Sequence, residues 1–237
     1  MHDLWFALPR RPHAQRGAQG SRRADAPVPS AYAFVGLTEV LLPVPVTHTN
    51  RKGVTYYLCQ GTTKRGRARY YFSRAPRGTA LAAVPNGYVV SESVNGIVSL
   101  SKARQSTFLP EEMAAVQNAL TAHAKGRNYR VSVKKGSIEV YERIGPSSDD
   151  LVRDLMKEGY IPRGGAKAFI AQREQHAQFT AILRFGLVEP RGRLFTVDRM
   201  TFRGDGGWLM VGGPAGLLQL LNTVIPALGT DAFFELL

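Results

Sequence analysis

Five cations and four aromatic rings lie between residues 57 and 74, in Tyr57, Lys64-Arg65-Gly66-Arg67 and Arg69-Tyr70-Tyr71-Phe72-Ser73-Arg74. The chemistry such a set can do is binding. Bases of a single-stranded nucleic acid stack on aromatic rings while Arg and Lys track the phosphates. If the two runs pair as a hairpin with Tyr56, Leu58, Tyr70 and Phe72 toward a core, the two-residue period of a strand puts Tyr57, Arg69, Tyr71 and Ser73 on the other face. Tyr57 and Tyr71 are then the stacking candidates and Arg69 a stacking or phosphate group. Lys64, Arg65 and Arg67 form a phosphate clamp beyond it, and Arg74 extends the set. Two other readings fit the same residues: strand aromatics present for β propensity beside a merely solvated basic loop, or a surface for an acidic protein partner.

The charge of the whole chain favours polyanions, with 31 Lys and Arg against 18 Asp and Glu and a formal net charge of +13. Its distribution is more informative. Residues 51–105 hold ten basic residues and one acidic residue, whereas residues 146–237 hold ten of each. Most of the excess therefore sits in one β-rich stretch. Arg-Tyr-Tyr-Phe does not follow the RNA-recognition-motif consensus, which alternates glycine and aromatic residues. DNA and RNA are both open as partners.

Enzymatic signals are weaker. His2, His13, His48, His123 and His176 are dispersed without ligand spacing, and Cys59 is the only cysteine, so no metal and no cofactor are expected. Cys59 falls mid-strand, away from any helix N-terminus that would activate a nucleophile. Asp198 and Asp205 flank a turn and could hold a metal for a hydrolase, or be ordinary salt-bridge partners. Glu139 and Glu142 lack the following lysine of a restriction-type nuclease core. Gly164-Gly165 and Gly204-Asp205-Gly206-Gly207 match neither a P-loop nor a dinucleotide fingerprint.

The elements that must position these residues are hairpins and single helices. Val54 to Leu58 and Tyr70 to Phe72 alternate as strands across the Gly61–Ala68 loop. Tyr88–Val94 and Ile97–Lys102 flank Asn95-Gly96, the dipeptide best suited to a type I′ turn. Pro110 reads as a first-turn helical proline, with Glu111 and Glu112 at the positive helix end and Met113, Val116, Leu120 and Ala124 at helical spacing, up to Gly126. A third hairpin turns at Lys135-Gly136. Ser147 with Asp150 then opens a helix over 149–158 that Gly159 stops. After a helical or mobile stretch at 166–178, strands are expected over 179–188, 194–202 and 208–211. Pro214 should start a helix bearing Leu217, Leu218, Leu220 and Leu221, and Thr230 should cap a last turn carrying Phe233 and Phe234.

Residues 1–50 carry Arg10, Arg11, Arg16, Arg22 and Arg23 among Pro, Ala, Gly and Gln, with no period and no lysine. They read as a disordered basic tail that binds nucleic acid, or as translated GC-rich upstream DNA, with initiation near Val46. No apolar run reaches the roughly eighteen residues of a membrane span, and the single cysteine fits a reducing compartment. A cytoplasmic protein without a membrane partner is expected.

The stretches Arg51 to Leu58, Gly61-Thr62-Thr63-Lys64, Arg69 to Ser73, Val84 to Tyr88 and Asn95 to Leu100 resemble the start of a family of uncharacterised bacterial proteins. Leu183 to Phe185, Phe195, Arg199 to Pro214 and the closing Phe233-Phe234-Glu235-Leu236 are similar to its end. The resemblance covers residues 50–237, implies a folded domain there and implies no activity. The expected fold is α+β, antiparallel hairpins alternating with single helices, with a basic β-rich module over 51–105 and an α+β module over 106–237. The function expected first is non-enzymatic nucleic-acid binding through the basic, tyrosine-bearing hairpin. A protein-interaction module using the neutral C-terminal region, with Phe202, Trp208 and Phe233 at the interface, is second, and a metal-dependent hydrolase third.

Overall fold

The computed structural model describes residues 44–134, 136–201 and 207–236. The expectations for the segment 1–43, Lys135, Phe202 and Asp205 lie outside the described residues. The fold is α+β, and every strand pairing among the described residues is antiparallel.

Strands β1 (Thr47–Thr49), β2 (Thr55–Thr62), β3 (Ala68–Ser73) and β4 (Thr79–Ala80) make the first sheet, with β3 along one side of β2 and β1 and β4 along the other. β1 lies within the stretch assigned by composition to the tail, so the ordered chain reaches back past residue 50. β5 (Tyr88–Glu92) and β6 (Val98–Lys102) form a separate ribbon on which β3 packs. A linker leads into α1 (Pro110–Ala122) and then β7 (Tyr129–Lys134), β8 (Ser137–Arg143), α2 (Ser148–Lys157) and α3 (Ala166–His176). β9 (Phe179–Glu189), β10 (Leu194–Met200), β11 (Trp208–Gly216), α4 (Leu217–Val224) and α5 (Ala232–Glu235) complete the chain. The larger sheet has the order β11-β10-β9-β8-β7.

One face of that sheet is the main core. Ile138, Val140, Leu183, Phe185, Phe195 and Val197 meet Val116 and Leu120 of α1, Leu220, Leu221 and Val224 of α4, and Phe233 of α5. Each such side chain, fully removed from water, contributes about 1.5–3 kcal/mol. The expected spacing holds at Val116 and Leu120, with Met113 packed against them, and at Leu217, Leu220 and Leu221, but Ala124 lies beyond the end of α1 and Leu218 is 67% exposed. No helix among the described residues is long and apolar enough to cross a membrane.

Three hairpin turns share one construction. Asn50, Thr63 and Ser93 each accept, through a side-chain oxygen, a hydrogen bond from the backbone N–H four residues on, at 2.9, 3.1 and 3.0 Å. Their carbonyls accept from the glycine at the fourth position, and Gly53, Gly66 and Gly96 have φ of 76, 75 and 77°. The Asn95-Gly96 turn is thus not type I′, which needs positive φ at two residues: only Gly96 is left-handed there. Asn95 is used otherwise. Its side chain pairs with the backbone of Phe179 like a short strand, donating to the carbonyl at 2.9 Å and accepting from the N–H at 2.8 Å. This ties the ribbon to the start of β9.

Three expectations near the C-terminus need correction. β11 runs on to Gly216, and Pro214 lies within it instead of starting α4. β11 is an edge strand, where a missing N–H is tolerated. Gly213, with φ of 103°, lies so close to β10 that a Cβ there would fall 2.4 Å from the Phe195 carbonyl oxygen. Thr230 does not cap α5; its hydroxyl donates backward to the Ala227 carbonyl at 2.7 Å.

Candidate nucleic-acid interface

β2 and β3 pair in the register Tyr57 to Ser73, Cys59 to Tyr71 and Gly61 to Arg69, so the expected shared face exists. On the opposite face Leu58 is fully buried, Tyr70 meets Tyr88 at a ring distance of 5.5 Å and Phe72 meets His48 at 6.5 Å. The turn bonds of Thr63 order the loop, and its two central positions, Lys64 and Arg65, stand out into solvent with Arg67, Arg69 and Arg74.

The tyrosines are less free than the register suggests. Tyr57 and Tyr71 are half-buried, and the fully buried Cys59 lies on their face. The Tyr71 ring covers Gly61, where a Cβ would be 3.4 Å from its Cε1, and its hydroxyl donates to the Arg77 carbonyl at 3.0 Å. What the hairpin offers a ligand is accordingly a cationic rim beside two half-buried rings.

Charge pairing separates this region from the rest. Among the described residues, none of the ten Lys and Arg side chains of 51–105 has a carboxylate within 4.0 Å. The one acid there, Glu92, is engaged by His48 at 2.9 Å and by the Arg51 N–H at 2.8 Å. Arg77, Lys102 and Arg104 are exposed like the hairpin cations, yet strand register alone did not select them. Only the segment's charge count carried a signal for these three.

In the C-terminal part, five described carboxylates pair with cations: Glu112 with Arg193, Asp149 with Arg127, Asp150 with Arg153, Glu174 with Arg130 and Arg143, and Asp198 with Arg184. Asp198 is therefore the partner of Arg184, at 2.6 Å, and Asp205 lies outside the described residues. Glu139 and Glu142, three apart on β8, point to opposite faces and accept bonds from Tyr141 and Tyr129. Burial, reinforced by those carboxylates, pushes both phenols well above the usual tyrosine range. Among the described residues no three His, Cys, Asp or Glu side chains gather as metal ligands.

The aromatic residues of the interaction reading do not form one exposed patch. Phe233 is 4% exposed within the core, and Trp208 is half-buried with the Arg184 guanidinium 4.6 Å from its ring centre.

The fold defines an α+β protein with a segregated basic sheet. Comparison with protein families, curated proteins and solved structures finds no match.

Proposed function

We propose that this chain binds single-stranded nucleic acid through the β2–β3 hairpin, with Lys64, Arg65 and Arg67 on phosphates, Arg69 and Arg74 beside them, and the edges of Tyr57 and Tyr71 against bases. One observation supports the reading: among the described residues five carboxylates of 106–237 pair with cations, whereas none of the ten Lys and Arg side chains of 51–105 has a carboxylate within 4.0 Å. Unpaired cations beside rings are what a polyanion with accessible bases recognises.

Fluorescence anisotropy with labelled oligo-deoxythymidine and oligo-uridine over a salt series tests it. Each phosphate contact on a single strand contributes about 0.7 to the slope of log K against log salt. Arg65→Ala with Arg67→Ala should therefore lower the slope by about 1.4. An unchanged affinity and slope would remove the loop from the interface, and no binding by the wild type would end the reading.

A further inference from the structure

β11 is the open edge of the five-stranded sheet. It pairs with β10 along one side and, among the described residues, with no strand along the other. The opposite edge, β7, carries Arg130 and Lys134, and the turn of the β5–β6 ribbon lies beside it, with Ser93 and Val94 sharing a hollow with Val131 and Ser132. An unpaired edge is a template for another chain, and proteins that stay apart blunt it with charge, proline or a bulge. Trp208–Gly216 has no charged residue, and its bulge at Val211 and its proline at Pro214 blunt only the second half. Trp208, Leu209 and Met210 are left unprotected.

The phase of the ladder decides which backbone groups are free. The Thr201 N–H donates to the Gly207 carbonyl at 3.1 Å, so these two form a hydrogen-bonded pair. By alternation Arg199 and Leu209 form the next bonded pair, while Met200–Trp208 and Asp198–Met210 are non-bonded pairs. Trp208 and Met210 therefore direct their N–H and C=O groups away from β10. Those four groups are symmetric about Leu209, so a second copy turned by half a rotation about that residue presents the complementary set.

Both faces beside this edge are apolar. Leu209 and Met210 are 37 and 59% exposed. Phe234, also 59% exposed, lies on the Leu209 side: its carbonyl accepts from Arg199, the cross-strand neighbour of Leu209, at 2.9 Å. Trp208 and Met210 share the other face.

Charge favours a copy of the chain over a charged peptide as the occupant. Residues 146–237 hold ten basic and ten acidic residues, and the edge itself holds none, so two copies bring no like charge into contact and a charged peptide finds no counter-charge. Pairing β11 with β11 is isologous and closes at two copies, whereas pairing it with β7 would run on into a filament and meets the ribbon.

Independently of the nucleic-acid reading, we infer that the chain forms a two-fold dimer through β11, joining the two sheets into one. Trp208 of each copy exchanges backbone hydrogen bonds with Met210 of the other, Leu209 meets Leu209 on the axis, and the methionine sulfur lies against the indole. A ladder this short belongs with the small interfaces, below about 1,200 Å² in total, so the dimer dissociates on dilution.

Sedimentation equilibrium of the full chain over a concentration series tests this, and the average mass should rise from one chain toward two. Added salt should leave the dimer intact, whereas it weakens nucleic-acid binding, so the two proposals fail separately. Leu209→Lys sets like charges against each other on the axis and should weaken the dimer about tenfold. Its side chain and that of Met210 are partly in solvent, so the unfolding midpoint should stay at the wild-type value. In Leu209→Cys the two Cα atoms lie about 4.5 Å apart, within disulfide reach, and mild oxidation should link the copies. Met210→Cys places them beyond about 7 Å and should not link; Cys59 is fully buried and does not compete.

A wild type that stays monomeric throughout, or a dimer that Leu209→Lys leaves unchanged, would overturn the proposal. Linking of Met210→Cys as fast as Leu209→Cys would overturn the two-fold pairing about Leu209.

Discussion

Glu174 is the residue whose loss should hurt the fold most for the smallest change in shape. It stands near the end of α3, where one carboxylate oxygen accepts from Arg143 and from Ser148 Oγ at 2.9 Å, and the other from Arg130 at 3.3 Å. The Arg143 side chain is 3% exposed, and its Nε is buried without a partner. Close by, the guanidiniums of Arg51 and Arg130 lie 5.4 and 5.0 Å from the Phe179 ring centre. Burial, and then the charge of Arg130, lower the affinity of Arg51 for its proton, while Glu92 and Glu174 oppose them. Glu174→Gln keeps the volume and removes the charge that three arginines share. Breaking a buried pair on one side costs about 3–5 kcal/mol. Glu174 keeps 28% of its side chain in solvent, which places the expectation at the low end, about 3 kcal/mol. Urea unfolding should show that loss as a lower midpoint at unchanged slope. Arg130→Ala, removing a partner that is 41% exposed, should cost about 1 kcal/mol or less. A Glu174→Gln cost below about 1 kcal/mol, or an equal cost for the two variants, would refute the view that Arg143 depends on this carboxylate.

Two further tests probe buried groups. Burial works to raise the pKa of Glu112, but the Arg193 guanidinium and the Leu109 N–H outweigh it and hold the carboxyl below the usual glutamate range. A folded pKa below the unfolded one gives stability that is complete above the unfolded value and is lost as pH falls through the folded one. The stability gap between wild type and Arg193→Met should therefore be widest near neutrality and shrink in acid; urea midpoints showing the same gap at every pH would refute it. Cys59 is fully buried in β2, so a thiol reagent should modify it only at the rate of unfolding, and rapid stoichiometric labelling under native conditions would contradict the burial.

What could be read from the sequence was local. The hairpins followed from two-residue alternation and glycine positions, α1 and α2 from first-turn signals and apolar spacing, and α4 from its leucines alone, because these signals act within one or two turns of chain. Asn95 escaped because its partner Phe179 lies 84 residues away, and the local rule for Asn-Gly named a turn type that the fold does not use. Pro214 escaped because the rule for helix-starting prolines cannot see that β11 lies at a sheet edge. The shared turn was legible in principle: Asn50, Thr63 and Ser93 each precede a glycine by three residues and a strand by five. For the candidate site, the charge segregation and the face of Tyr57, Arg69 and Tyr71 were both readable. The partial burial of Tyr71 was not, since a loop carbonyl at Arg77 imposes it.

The unpaired cations of 51–105 also show how binding and stability are divided in this chain. Like charges 4 Å apart in water repel by about 1 kcal/mol, and at physiological salt the interaction fades within about 8 Å. Lys64, Arg65, Arg67, Arg69 and Arg74 thus impose a modest cost that a single nearby carboxylate would relieve. The hairpin does not rely on such a carboxylate. Its order comes from the Thr63 turn bonds, the burial of Leu58 and Cys59, and the Tyr71 hydroxyl on Arg77. Around the larger sheet the reverse holds: Arg143, Arg193 and Arg184 are structural because each is tied to a carboxylate. The cations that do not hold the fold are the ones exposed to a ligand, so removing them should change binding without moving the unfolding midpoint. Removing Arg143 or Arg193 should do the opposite.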